Sequence, residues 1–113
     1  MKTVILAALL ILGLAADTPS AQNDKQKDKA GATHTVVIAG TAFKPATLMV
    51  KVGDRITWKN DDPFAHTVTS EKGRFDSKEI AAGQSWTYQA TRAGELPYIC
   101  TLHRTMKGTL IVQ

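Results

Sequence analysis

The stretch that decides the fold is Leu96–Gln113, LPYICTLHRTMKGTLIVQ, because two apolar runs in it flank three possible metal donors. The runs LPYIC and GTLIVQ have the length and composition of β-strands. Cys100 ends the first run, and His103 and Met106 lie between the two runs, so that the three donors follow the spacing C-x2-H-x2-M. The segment therefore predicts a strand, a short loop that carries three donors, and a second strand.

Short apolar runs with a period of two recur through the rest of the chain, and no long stretch has the helical period. The run TLMVKVGD is expected to place Leu48, Val50 and Val52 inward and then to turn. Further runs, separated by turn residues, are HTVVIAG, RITWKN, HTVTS and SWTYQA. About seven to eight short strands with this spacing predict an all-β fold, an antiparallel Greek-key β-sandwich. The segment Gly73–Ala82 fits either a short strand or a loop.

The first residues have the composition of a secretory signal peptide. Lys2 is followed by the apolar run Val4–Ala16 and then by small residues. This run is too short for a comfortable membrane span, so residues 1–21 are predicted to be a cleaved signal peptide. The alternative is an uncleaved N-terminal anchor. Residues 22–32 are polar and are predicted to be a disordered spacer, and residues 33–113 suit one small domain.

Composition narrows the possible partners. The net charge of +4 at pH 7 could steer acidic partners at low salt without identifying them. Few aromatic side chains and the lack of a basic run argue against nucleic-acid binding. We expect a periplasmic monomer with no stable membrane insertion once the signal peptide is removed. A single cysteine in an exported chain cannot form an internal disulfide, so Cys100 needs another role.

The three donors can meet at one ion only if the chain turns sharply. In an extended strand, residues three apart lie ~10 Å from each other and on opposite faces. A turn directly after Cys100 would let the cysteine, the histidine and the methionine converge at the end of the sandwich. In a helix, by contrast, residues three apart share a face. The interval between the strand runs leaves room for barely two helical turns, so we favour the loop.

The donor types indicate copper. Thiolate and thioether are soft donors that favour copper(I), and imidazole serves both oxidation states. A blue-copper site has two histidines, one cysteine and a weak axial methionine, so one more histidine is required. His66 follows the loop NDDPFA and opens the run HTVTS, from which it can project toward the ligand loop. His34 lies beside the spacer, where an ordinary exposed histidine is expected. The predicted ligands of one copper ion are His66, Cys100, His103 and Met106.

These motifs resemble the cupredoxin family, and within that family the chain is most similar to amicyanins. The stretch FKPATLMVKVGDRITWKNDDPFAHTV is close to the pattern F-x-P…V-x-x-G-D…W-x-N-x-D…H, and C-x2-H-x2-M is the amicyanin spacing. The resemblance spans Thr33–Gln113. It implies the cupredoxin fold, with His66, Cys100 and His103 arranged as a trigonal set around copper and Met106 more distant and axial.

The resemblance further implies a small blue-copper protein, not an enzyme, that shuttles one electron between periplasmic redox partners. His103 should then be the partly exposed ligand and the port for electrons. An apolar patch near His103, Phe64 and Leu102 would contact transient protein partners. Amicyanins carry prolines around the loop histidine, where this chain has Leu102 and Arg104. These differences concern the docking surface, the rigidity of the loop and the redox potential.

Other functions compete with electron transfer at this level. A copper storage or delivery protein would use the same four ligands. A thiol enzyme would use Cys100 as nucleophile with His66 or His103 as base, but this leaves Met106 without a role and offers no obvious oxyanion donors. Zinc could occupy the site, although a methionine makes it a poor intended occupant.

Two neighbours of the ligands have open roles. Thr67 is expected to donate its backbone N–H to the Cys100 sulfur and to join the two ligand loops through its hydroxyl, or else to be a plain strand residue. Arg104 either favours an acidic partner or is an ordinary solubilising side chain.

Overall fold

The computed structural model describes residues 31–113, which form eight strands in two four-stranded sheets. The predicted signal peptide and all but the last two residues of the predicted spacer lie outside the described residues. The strands are β1 Thr33–Ala39, β2 Ala42–Lys44, β3 Thr47–Val50, β4 Arg55–Asn60, β5 Thr69–Ser70, β6 Ser85–Gln89, β7 Gly94–Cys100 and β8 His103–Val112.

The predicted all-β sandwich is confirmed, and its pairing is mixed rather than wholly antiparallel. One sheet has the order β2-β1-β4-β6 and the other the order β3-β8-β7-β5. Within them β1 pairs with β4, and β3 with β8, in parallel. The chain leaves the first sheet after β2, adds β3 to the second sheet and then returns as β4. Strands joined by such a crossover can run in the same direction, which a hairpin does not allow.

No helix among residues 31–113 is long and apolar enough to cross a membrane.

The core lies between the two sheets and is built around an aromatic cluster. Trp58 of β4 is fully buried, and its ring meets Tyr98 of β7 edge to face with centroids 5.5 Å apart. Phe43 packs against Tyr98 in the same manner at 4.8 Å. On β8, Gly108 faces the Tyr98 ring so closely that a Cβ there would overlap it. Aliphatic side chains from both sheets complete the core: Val36, Ile38, Val50, Ile56, Val68, Leu96, Leu110 and Val112.

The turn after β3 corrects one predicted core position. Val50 is buried as expected and Leu48 is partly buried, but Val52 is 49% exposed. The strand ends at Val50, and the next residues form a turn with Gly53 at φ 97°. Alternation of side chains between the two faces stops where the strand stops, so the period-two pattern was extended two residues too far.

Asp54 ties the beginning of the domain to this turn. Its carboxylate accepts the backbone N–H of Ala32 at 2.8 Å and that of Lys51 at 3.0 Å, and it pairs with His34 Nε2 at 2.8 Å. Gly31 packs so closely against Gly53 that a Cβ would overlap its carbonyl. The last two residues of the predicted spacer therefore belong to the folded domain. His34 is not the ordinary exposed histidine that we expected.

The segment Gly73–Ala82, which the sequence left open, is an extended connection with two isolated bridges. Asp76 pairs with Thr69 and Ile80 pairs with His66. Phe75 and Ile80 are buried against the core, which explains why a segment without a regular strand has a fixed path.

We predict that Asp54 makes stability depend on pH under acid conditions. Hydrogen bonds from the Ala32 and Lys51 N–H groups, and then the contact with His34, lower the pKa of Asp54 from 3.8 to about 2. A carboxyl with a lowered pKa stabilises the fold above its ordinary pKa, and this contribution is lost as the pH falls toward the folded value. The midpoint of urea unfolding should therefore be higher for the wild type than for Asp54→Asn at about pH 5, and the difference should shrink toward about pH 2.

The comparison uses protein of the same metal content, with Glu95→Gln as a control because Glu95 is exposed and outside this cluster. A difference between the wild type and Asp54→Asn that stays constant over this range would contradict the prediction.

Candidate metal centre

The donor-bearing hairpin is tighter than the predicted loop. β7 ends at Cys100 and β8 begins at His103, so only Thr101 and Leu102 form the turn. Cys100 pairs with His103 across the hairpin, after a register shift between Ile99 and Cys100. The sharp turn after the cysteine is thus confirmed, and the helical alternative is wrong.

Met106 differs from the other two donors of the motif in its position. It lies within β8 rather than in the turn, and its side chain is buried, with 3% exposed.

The second half of the site comes from residues 61–66, and Asn60 gives this loop its shape. The fully buried Asn60 side chain donates to the carbonyls of Phe64 at 2.7 Å and Ile80 at 2.9 Å. Its oxygen accepts the N–H of Asp62 at 3.0 Å. At the end of the loop, His66 exchanges two backbone hydrogen bonds with Ile80, at 3.1 and 2.7 Å. These bonds fix where the His66 side chain starts.

The structure brings together three of the four predicted ligands. One donor atom each from His66, Cys100 and His103 can be chosen so that all three lie within 4.8 Å of one another. The Cys100 sulfur is 3.6 Å from His66 Nδ1, and the two imidazole rings have centroids 5.0 Å apart. Two donor–metal bonds of about 2.0 to 2.3 Å hold their donor atoms no more than about 4.6 Å apart, so the spacing found here is close to that of donors that share one ion. The thiolate and two imidazoles fit copper, and Met106, which is buried in β8, stays the predicted softer fourth donor.

Burial divides the three donors. His66 and Cys100 are fully buried, whereas His103 lies at the surface. Leu102, in the turn directly before His103, is 48% exposed, and Phe64, in the loop before His66, is 58% exposed. The predicted exposure of His103 is confirmed, and the apolar patch expected near it stays a prediction. His34 lies at the other end of β1 and takes no part in the site.

Asp62 orients the buried histidine. Its carboxylate lies 2.8 Å from His66 Nε2, and a carboxylate only accepts, so this nitrogen carries the proton. In the neutral ring, Nδ1 then presents its lone pair on the side of Cys100. The same carboxylate accepts the backbone N–H groups of Gly40 at 2.7 Å and Thr41 at 2.9 Å. Burial acts to raise the pKa of Asp62, but the hydrogen bonds from Thr41, His66 and Gly40 outweigh it, so the pKa is lowered.

Thr67 joins the two ligand segments as expected from the sequence. Its backbone N–H donates to the Cys100 sulfur at 3.3 Å. Its hydroxyl oxygen accepts the N–H of Thr101 at 2.8 Å. Thr67, which follows His66, therefore holds Thr101, which follows Cys100.

Sequence reasoning missed Asn60 and Asp62 as supports of the site. Both lie in the loop NDDPFA, directly before His66. Metal-binding histidines usually donate their second ring N–H to a carboxylate or carbonyl. A carboxylate four residues before a predicted ligand histidine was therefore a signal for Asp62. The role of Asn60 could not be read from the sequence, since its partners are carbonyl groups of Phe64 and Ile80.

The fold and the site of residues 31–113 define a small β-sandwich protein with a candidate metal centre at one end. Residues 4–112 match the model of the cupredoxin-like domain, and the chain belongs to this family. Amicyanin-alpha of Methylorubrum extorquens is 29% identical over 120 residues, which cover 100% of both chains. A solved structure of the reduced Cu(I) form of an amicyanin variant is 30% identical, with a TM-score of 0.68, and the match covers 72% of this chain and 82% of that one.

The same domain also occurs inside an enzyme. A copper-containing nitrite reductase of Thermus scotoductus matches with 26% identity and a TM-score of 0.68. The match covers 72% of this chain but only 22% of the reductase. The matches thus cover a small part of that enzyme, 82% of the amicyanin structure and all of amicyanin-alpha.

We predict that Asp62→Asn weakens metal binding while leaving the protein folded. An amide accepts a hydrogen bond less strongly than a carboxylate, so His66 loses both the fixed proton on Nε2 and part of the basicity of Nδ1. The apparent metal affinity should fall by about 10- to 100-fold, measured by competition with a copper(I) chelator. Asp61→Asn is the matched control, because that neighbouring carboxylate is exposed and pairs with Lys59 at 3.3 Å. Equal affinities of the two variants would show that Asp62 does not orient the ligand.

Proposed function

We propose that the chain is an exported, mononuclear blue-copper protein that carries single electrons between protein partners. One copper ion would be held by His66, Cys100 and His103, with Met106 as the weaker fourth ligand. When bound, copper supplies one-electron chemistry through the Cu(I) and Cu(II) states. The observation that carries the proposal is the donor set, one thiol and two imidazoles within 4.8 Å, with His66 hydrogen-bonded to Asp62 and Cys100 to the Thr67 N–H.

The protein's contribution is a site that does not rearrange. His66 is held by Asp62 and by backbone pairing with Ile80, and Cys100 by its place in the hairpin and by the Thr67 N–H. Supports that fix the ligands before the reaction remove the cost of moving them during it. Such rigidity favours electron transfer, because both oxidation states are then bound in nearly the same geometry.

Burial of the ligands also separates this function from its rivals. Cys100 is fully buried, so a substrate cannot reach its thiol. A nucleophilic cysteine, by contrast, must be accessible to its substrate. Full burial of His66 likewise hinders release of copper to an acceptor protein, which a storage or delivery protein requires. Only the exposed edge of His103 offers a path to the outside, and this suits the passage of an electron better than that of an ion.

The surface around His103 supports a transient partner. Phe64 and Leu102 give a small apolar contact, of the kind used by redox pairs that must separate quickly. A groove is lined by Arg104, Lys107, Ile99 and Glu71, and Arg104 directly follows His103 in the chain. Among the described residues, neither cation has a carboxylate within 4.0 Å. We propose a periplasmic partner with an acidic rim, with export supported by the composition of residues 1–21.

The visible spectrum tests the proposed function. The copper(II) protein should show an intense band near ~600 nm that comes from the Cys100 thiolate, and the band should vanish on reduction and return on oxidation. Cys100→Ser should bind copper without this band. A colourless wild-type copper(II) protein, or copper(I) that passes to a chelator as fast as from a small peptide complex, would contradict electron transfer and favour delivery.

Small inorganic oxidants of opposite charge test the electrostatics of the port. We predict that the variant Arg104→Gln/Lys107→Gln is oxidised by the anionic hexacyanoferrate(III) about two- to tenfold more slowly than the wild type at low salt. Oxidation by a cationic tris(phenanthroline)cobalt(III) complex should become faster by a similar factor, because repulsion is removed. Both effects should fade at high salt. The control Lys51→Gln/Arg55→Gln removes the same charge from the opposite end of the sandwich, and rate changes of equal size in the control would contradict a local effect.

A further inference from the structure

A line of hydroxyl groups connects the ligand hairpin with the extended segment beyond β5. It consists of Thr101, Thr67 and Thr69, with the carboxylate of Asp76 at its far end. Thr101 and Thr67 hydroxyls are 3.1 Å apart, Thr67 and Thr69 hydroxyls 3.0 Å, and the Thr69 hydroxyl is 3.2 Å from Asp76 Oδ1. The first two residues border the metal ligands, and the last two do not.

Thr67 is the hub of this line, because its hydroxyl makes three hydrogen bonds, two as acceptor and one as donor. Its oxygen accepts the Thr101 N–H at 2.8 Å and the Thr69 O–H at 3.0 Å, so its own proton is left for the Thr101 hydroxyl. The three bonds tie the Thr67 side chain to Thr101 and Thr69. The backbone N–H of the same residue donates to the Cys100 sulfur at 3.3 Å.

The Thr69 hydroxyl has one proton and two acceptors. It lies 3.0 Å from the Thr67 oxygen and 3.2 Å from the Asp76 carboxylate, and it can donate fully to only one of them. A carboxylate is the stronger acceptor, although this one is exposed to water. Asp76 therefore competes with Thr67 for the proton that completes the Thr67 hub.

Asp76 keeps its place independently of this competition. Its Oδ1 also accepts the Lys78 N–H at 2.9 Å. On either side the backbone bonds Ser70 N–H to Phe75 carbonyl, at 2.9 Å, and Ser77 N–H to Val68 carbonyl, at 3.0 Å, hold the segment against β5. A change at the Asp76 carboxylate thus alters the acceptor without moving the chain that carries it.

We propose that Thr69 is a positioning residue for the copper ligand hairpin, acting through Thr67 on Thr101 and on the Cys100 sulfur, and that Asp76 weakens its action. The proposal rests on the proposed copper site for its effect on the metal, but its effect on the hairpin does not depend on copper. The two residues should have opposite effects when changed. Removing the Thr69 hydroxyl removes one hydrogen bond from the Thr67 hydroxyl. Removing the Asp76 charge weakens the competing acceptor, so the Thr69 O–H donates more fully to the Thr67 oxygen.

Amide exchange in the copper(I) and metal-free proteins tests the effect on the hairpin. In Thr69→Val, which keeps the β-branched shape, the Thr101 and Thr67 amides should exchange about three- to tenfold faster, the size expected for one hydrogen bond. In Asp76→Asn they should exchange more slowly than in the wild type. Thr69→Ser restores a hydroxyl and should restore wild-type rates. Thr87→Val is the matched control, because it removes a 2.8 Å hydroxyl pair with Thr57 on the other sheet.

The redox potential tests the effect on the metal. A hydrogen bond to the cysteine sulfur withdraws electron density from it and favours copper(I), so a looser Thr67 N–H contact should lower the potential. The potential should be lower in Thr69→Val, higher in Asp76→Asn and unchanged in Thr87→Val. If Thr69→Val and Asp76→Asn shift exchange in the same direction, or if Thr87→Val matches Thr69→Val, the positioning role is wrong. A wild-type protein without the blue band would overturn the copper function and leave the exchange result to stand on its own.

Discussion

The carboxylate of Asp62 is the point at which the metal centre and the sandwich depend on each other. It accepts hydrogen bonds from the turn between β1 and β2, through Gly40 and Thr41, and from the buried ring of His66. A buried carboxylate without donors would be costly, so the turn and the histidine must both be in place for the loop to fold. The predicted ligand His66 is therefore held by the first sheet through the Asp62 carboxylate.

The other ligands come from the second sheet, so the centre also joins the two layers. Cys100 and His103 face each other across the hairpin of β7 and β8, while His66 enters from the loop after β4. Thr67 closes the gap between them through its N–H and its hydroxyl. His66 is supported by one sheet, and Cys100 and His103 belong to the other. A shift of one sheet relative to the other would therefore disturb the close packing of the core between the sheets.

The two ends of the sandwich have different tasks. At one end Asp54 gathers Ala32, His34 and Lys51 and secures the point where the domain begins. At the other end lie His103, Phe64 and Leu102, which are open to solvent. Ala32, near the start of the described residues, is thus held at the end of the sandwich opposite the proposed electron port.

The sequence by itself determined the class of fold and the donors of the site. Period-two alternation and turn residues predicted the sandwich, since an isolated strand must bury one face, and the spacing of Cys100, His103 and Met106 with soft donor atoms predicted copper. It failed where the strand pattern continued past its end, at Val52, and where the polar composition of residues 22–32 hid the contacts of Gly31 and Ala32.

Only the tertiary structure decided which groups hold the donors. Asn60, Asp62, Thr69 and Asp76 act on partners that are brought near by sheet pairing or by loop closure, and several of these partners are backbone groups that every residue carries. A side chain's type and spacing can show what it is able to bind. Which carbonyl, N–H or hydroxyl it meets is set by the register and the crossing of strands, because hydrogen bonds act only over about 3 Å.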